Sequence, residues 1–216
     1  MDFILFGIIA YLLGSIPTAV WVGRAYYGID VREHGSKNAG ATNTFRVLGK
    51  RPGTIVLLID VLKGALAVLL PVFFIRQPGL EGLNEVSLSL EDHVIQVQLV
   101  NSFAVILGHV FPVFAQFKGG KGVATSLGII IGIHPPAAGI CFLIFLLVFM
   151  ISHYVSLGAI ITAVAFPLLI IFVFNADSIW LRGFSILLGT LVVITHKKNI
   201  LRLIQGQENK MNLFKK

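Results

Sequence analysis

Long, nearly continuous apolar runs alternate along this chain with short polar stretches. The runs fall at 3–23, 53–75, 99–114, 123–134, 137–151, 156–174 and 179–195. A helix needs about 20 such residues to cross the hydrocarbon of a bilayer, so the first, second and sixth runs predict clear spans. The third, fourth and fifth are short, and Pro112, Pro135 and Pro136 interrupt that region. Seven spans therefore compete with five, the middle of the chain merging or re-entering. Helix broken by Gly or Pro at membrane depth survives only where protein or a polar cavity covers its backbone, so a site is expected in that middle. The connection 76–98, with Glu81, Glu85, Glu91 and Asp92, reads as a solvated loop. No internal repeat of the inverted kind is visible.

Composition sharpens this into a class. Of 216 residues 56% are hydrophobic and 12% charged, about half the charge of a soluble domain. The chain is expected to be an all-α, polytopic membrane protein. Asp2 stands where a signal peptide carries basic residues and no A-x-A site follows, so the first run is taken as a retained helix. Cys141 lies inside ICFLIFLLVFM, where it packs; one cysteine excludes a disulfide framework or a cysteine metal site within one chain. With the N-terminus outside, the inner segments 24–52, 115–122, 152–155 and 196–216 hold 14 of the 17 Lys and Arg. The positive-inside rule thus favours seven spans, with the C-terminus in the cytosol.

Three polar clusters fall on that inner face. The first, HGSKNAGATNTFRVLGKR (34–51), is dense in groups that hydrogen-bond phosphate oxygens, and Arg46 offers a two-pronged fork. A capped basic loop that merely holds topology fits it equally. The second, FKGGKGVATSLG (117–128), places Gly119, Gly120 and Gly122 ahead of a helix start, with Lys118, Lys121 and Thr125 alongside. Glycines before a helix N-terminus suit an anion, although a turn with topology-setting lysines has the same composition. It is not a Walker A loop, since Gly122 follows Lys121 where Ser or Thr is required. The third, HKKNILRLIQGQENK (196–210), puts His196 and Asn199 on one face near the membrane exit, and its apolar spacing also fits an interfacial helix.

Other features carry less. Asp60 and Lys63, three apart inside the second span, predict a structural ion pair that orients a nearby site. His109 reads as helix-end packing, and His34, His93, His134 and His153 lack metal-ligand spacing. No histidine has an aspartate five residues on, there is no G-x-S-x-G elbow, and the inner carboxylates are only Asp30, Glu33 and Glu208. An enzyme built from this set would move a group directly between anionic substrates, with no metal and no cofactor.

Five stretches, GSIP (14–17), GSKNAGATNTFR (35–46), DVLKG (60–64), GHVFPVFAQFKGGKGVAT (108–125) and HKKNILRLIQGQE (196–208), together resemble the bacterial acyl-phosphate:glycerol-3-phosphate acyltransferases, the PlsY family. The resemblance spans essentially the whole chain and treats 1–216 as one polytopic domain. It implies seven transmembrane helices, N-terminus outside, in the bacterial cytoplasmic (inner) membrane with the active site facing the cytosol. It implies acyl transfer from acyl phosphate to the 1-hydroxyl of sn-glycerol 3-phosphate, giving 1-acylglycerol 3-phosphate (lysophosphatidate) and phosphate, the first step of bacterial phospholipid synthesis. Matched by motif, Ser36, Arg46, Lys121, His196 and Asn199 are implied as catalytic. Asn38, Thr42, Asn43, Gly119, Gly120, Gly122 and Thr125 match the substrate-phosphate loops, and Glu208 a structural acid. The implied partners are the two substrates, membrane lipid and the enzymes that make acyl phosphate, with no nucleic acid. An anion transporter or a membrane scaffold would use the same basic face, but neither explains three separate polar motifs on one side.

Overall fold

The computed structural model describes residues 2–75 and 84–211, which are helical with no strand. The chain divides into two compact units, Met1–Ile133 and His134–Lys216. The first contains α1 (Asp2–Gly14), α2 (Thr18–Tyr27), α3 (Ala41–Leu48), α4 (Lys50–Ile75), α5 (Asn84–Val110) and α6 (Val123–Ile133). The second contains α7 (Pro135–Ser152), α8 (Val155–Leu168), α9 (Ile179–Thr195) and α10 (Lys197–Ile204).

In the first unit, α1 and α2 form one broken apolar segment. Pro17 has no N–H and cannot continue the helix, so carbonyls at the break lack helical partners. Lys63 of α4 supplies the missing donor: its Nζ lies 3.0 Å from both Gly14 O and Ile16 O. A cation is favoured at a helix C-terminus, and this one is paired with Asp60 at 2.9 Å. The buried ion pair inside an apolar run therefore completes a helix break.

Proline imposes a second such debt on α4. Pro71 lacks the N–H that would bond Ala67 O, and Asn101 of α5 donates its Nδ2 to that carbonyl at 2.9 Å. Gln98 donates likewise to Val68 O at 2.9 Å. Both α5 side chains are buried; they satisfy backbone that lipid could not. Short α6 packs against α4 where Gly64 meets the Thr125 carbonyl and Gly128 meets the Val61 carbonyl, each too close for a Cβ. Small residues at membrane helix contacts allow this approach.

One expectation changes here. The stretch 84–98 is helix rather than solvated loop: α5 starts at Asn84, because polar residues can continue a helix beyond the apolar run that anchors it. Residues 76–83 of that connection lie outside the described residues. Pro135 and Pro136 fall between the fourth and fifth apolar runs and open α7, occupying its first turn, where no N–H is required. His134 caps that turn, its Nδ1 accepting from Ala137 N at 3.2 Å.

In the second unit, α8 runs into a π turn at Leu169–Val173, two residues beyond Pro167. Gly189 of α9 packs against the Ala163 carbonyl, the one Pro167 cannot bond. Among the described residues, five segments are long and apolar enough to cross a membrane: Phe3–Tyr27, Lys50–Ile75, His93–Ala115, Pro135–Ser152 and Val155–Val173. Counted as one span, the pair α9 and α10, bent by 60°, brings the number to six. With its 11 residues, α6 extends about 16 Å against roughly 30 Å of hydrocarbon. The protein is an all-helical, multi-pass integral membrane protein.

Candidate active site

Asp30 organises the start of the first polar loop. Its Oδ1 accepts from Arg32 N at 2.9 Å, capping the short turn Val31–Glu33. Its carboxylate also accepts from Arg32 Nε and Nη2, at 3.0 and 2.7 Å, and from Arg24 Nη2 at 2.9 Å. The Arg32 side-chain hydrogen bonds outweigh the opposing effect of burial and bring the Asp30 carboxyl down to about 2. The same bonds raise Arg32 above its ordinary value.

Asn43 then ties the loop to α3. It is 1% exposed, and its Nδ2 donates to Val31 O at 2.7 Å and His34 O at 3.1 Å. Those two carbonyls fix the amide orientation, so Oδ1 must face Ser36, accepting from Ser36 N at 2.8 Å and from Ser36 Oγ at 3.1 Å. The expectation that Asn43 binds phosphate meets a physical obstacle: its amide is buried and engaged within the loop, where it holds Ser36. Because Oδ1 can only accept, the Ser36 hydroxyl donates inward and turns its lone pairs elsewhere. Thr42 and Arg46, four residues apart, share one side of α3. With Ser36 and Asn38 they are half-buried.

The glycine segment folds differently from a ring of converging amides. Gly119 N donates to Val110 O at 3.2 Å and Gly120 N to His109 O at 3.1 Å, so neither amide points to a ligand. These glycines serve close packing instead: a Cβ on Gly119 would strike His109 O, and one on Gly120 the His109 ring. Gly122, at φ +83, makes the left-handed turn into α6, and its carbonyl accepts the first helical bond from Ser126 N at 2.7 Å. The anion-attracting end is thus the N-terminus of α6, with Lys121 half-buried just before it. Thr125, in the first turn, is fully buried, and its Oγ1 has no hydrogen-bond partner. His109 is buried, with Nδ1 3.8 Å from Asp60 Oδ1, so the ion pair on α4 backs the glycine segment.

One residue that sequence reasoning left among the topology charges joins these clusters. Arg32 Nη1 donates to Ala115 O at 2.9 Å and reaches Lys118 O at 3.5 Å, while the rest of its fork holds Asp30. The available signal was the D-x-R spacing directly ahead of the polar loop, an N-capping carboxylate with a guanidinium two residues on.

The second unit carries the third cluster. His196 is 3% exposed and its Nδ1 lies 2.7 Å from Val192 O. A carbonyl can only accept, so Nδ1 carries the proton, and a neutral ring keeps its lone pair on Nε2. Asn199 is also buried; its Nδ2 donates to Glu208 Oε1 at 2.8 Å. Glu208 accepts in addition from Ser156 Oγ at 3.1 Å and Arg202 Nε at 2.8 Å, fastening α10 to the start of α8. Ser156 had no sequence signal beyond a hydroxyl at a helix start.

Comparison with known proteins places this arrangement. A family model, glycerol-3-phosphate acyltransferase, matches residues 4–206. A glycerol-3-phosphate acyltransferase of Chlorobaculum tepidum is 40% identical, covering 100% of this chain and 99% of its own. One from Bacillus cytotoxicus is 44% identical over 97% of this chain and 95% of its own. Among solved structures, the integral membrane glycerol 3-phosphate acyltransferase PlsY (YgiH), in its glycerol 3-phosphate form, is similar with a TM-score of 0.84 and 34% identity over 100% of both chains. Its lysophosphatidic acid form gives a TM-score of 0.81 at 34% identity, over 99% of this chain and 97% of that one. With sequence match and fold similarity running from end to end, the chain belongs to the glycerol-3-phosphate acyltransferase family.

Proposed function

We propose that the protein moves a fatty acyl group from acyl phosphate to the 1-hydroxyl of sn-glycerol 3-phosphate, as the first step of bacterial phospholipid synthesis. Through its family it is a glycerol-3-phosphate acyltransferase that makes lysophosphatidate. The reading rests above all on one feature: a polar loop bearing Ser36 and Asn38, with Thr42 and Arg46 on the helix α3 that follows it, joined through Arg32 to the segment that leads into α6. Both substrates carry phosphate, and this is a cationic, hydroxyl-rich surface beside a helix N-terminus.

The chemistry follows from the activated donor. The hydroxyl oxygen of glycerol 3-phosphate attacks the acyl carbonyl carbon, and the bond from that carbon to the phosphate oxygen breaks. Phosphate leaves with the bonding pair, and the hydroxyl proton passes to a base. Positioning and charge stabilisation are then the main tasks. Arg46 and Lys121 neutralise phosphoryl charge; Asn38, Thr42 and the α6 end at Gly122 and Thr125 hydrogen-bond phosphate oxygens. Gly119 and Gly120 give the segment its close packing. Ser36, held by Asn43, presents acceptor lone pairs to a substrate hydroxyl. His196 and Asn199 place glycerol 3-phosphate, with Glu208 orienting Asn199.

Seven spans, with α6 as the short one, an outer N-terminus and a cytosolic C-terminus and site complete the reading, supported by 14 of 17 basic residues on one side. The setting is the bacterial inner membrane, beside the enzymes that make acyl phosphate, with 1–216 serving one reaction. Phosphate release from palmitoyl phosphate by the purified protein tests it: release should require glycerol 3-phosphate, yield lysophosphatidate, and fall about 10²-fold or more in Lys121→Ala. Release without acceptor, or undiminished in that variant, would refute it. His196→Gln identifies the base: lost turnover with retained binding assigns the proton to Nε2, and normal turnover assigns it to a substrate phosphate.

A further inference from the structure

The turn from Ala115 to Lys118 is unusual in its backbone. Gln116 and Phe117 both sit at φ +57, two consecutive non-glycine residues in the left-handed region. L-residues visit that region singly and at a cost, and a bulky one does so only when its surroundings force it. Within the turn, Phe117 N donates to Pro112 O at 2.9 Å and Lys118 N to Ala115 O at 3.2 Å. From outside it, one side chain grips both ends: Arg32 Nη1 bonds Ala115 O at 2.9 Å and reaches Lys118 O at 3.5 Å. The other edge of the guanidinium is fixed on Asp30, through Nε at 3.0 Å and Nη2 at 2.7 Å. Asp30 in turn opens the loop that carries Ser36 and leads into α3, which carries Arg46.

We infer that Arg32 is a positioning residue for the acyl transfer: its fork, held by Asp30, clamps the left-handed Ala115–Lys118 turn and so sets Lys121 and the α6 N-terminus relative to Ser36 and Arg46. The guanidinium has five N–H groups in a rigid plane. Its fork serves a carboxylate on one side and two carbonyls on the other, so it works through the loops rather than on substrate. A lysine, with a compact ammonium and no fork, cannot make both sets of bonds at once. This inference rests on the reading of the glycine segment as a phosphate site.

Steady-state kinetics of the full chain in detergent, varying palmitoyl phosphate and glycerol 3-phosphate separately, test it. Arg32→Lys should stay folded, with kcat/KM lower by about tenfold or more, since a misplacement of about 1 Å costs up to 10²-fold. Arg32→Ala should lose more, and added guanidinium should restore part of its rate where sodium at equal ionic strength does not. An Arg32→Lys enzyme with unchanged kcat/KM, or a loss in Arg32→Ala that guanidinium leaves untouched, overturns the clamp. Lys121→Ala with unchanged KM and kcat would instead overturn the phosphate reading, and with it the catalytic role of the clamp.

Discussion

At the scale of single residues, the polar loops are built by side chains that bind other protein groups, and their energetics are testable without substrate. Asp30 has a depressed folded pKa, about 2 against an ordinary 3.8. Its contribution to stability is therefore complete above pH about 4 and lost as pH falls from about 4 to about 2. The shift corresponds to about 2 kcal/mol. Asp30→Asn should lower stability by about that amount at neutral pH, and the difference from wild type should shrink across that acid window. Acid unfolding curves that stay parallel down to pH 2 would show the carboxylate to be unimportant. Asn43 and Arg32 explain why residue roles were only partly legible. Composition marks Asn43 as a group suited to phosphate and Arg32 as one more inner charge, but which way each side chain turns depends on carbonyls such as Val31 O and Ala115 O, which folding in three dimensions brings within reach.

At the scale of elements, lipid leaves backbone groups no partner outside the protein, so breaks in membrane helices must be repaired by neighbours. Lys63 repairs the α1–α2 break, and Asn101 repairs the gap that Pro71 leaves at Ala67 O. Asn101→Leu should destabilise the protein by about 1–3 kcal/mol through that unpaired carbonyl. Adding Pro71→Ala returns an N–H to Ala67 O and should recover about half or more of the loss. Additive effects in thermal melts of the single and double variants would disprove the repair. Six of the seven predicted runs begin and end within a few residues of observed helices, since an apolar run is itself the reason a helix persists in lipid. The exception is the start of α5, where polar residues 84–98 follow helical geometry set by the apolar run after them.

For the whole molecule, charge asymmetry predicts sidedness. In a Cys141→Ala background, a cysteine at exposed Lys37 should react with a membrane-impermeant maleimide only from the cytosolic side, and one at exposed Asp177 only from outside. Labelling of both from the same side would exclude an odd number of spans between them. Residue order alone sets the membrane class, the helical runs and the three motifs, because burial in lipid depends on local apolar length and motif chemistry on residue type. Tertiary structure decided which groups in those motifs remain available. Gly119 and Gly120 proved to be packing glycines against His109, Asn43 became the support for Ser36, and Arg32 emerged as the joint between two loops 83 residues apart. A hydrogen-bonding group can satisfy a neighbour or a ligand with equal chemistry, and only the three-dimensional placement of its neighbours settles which.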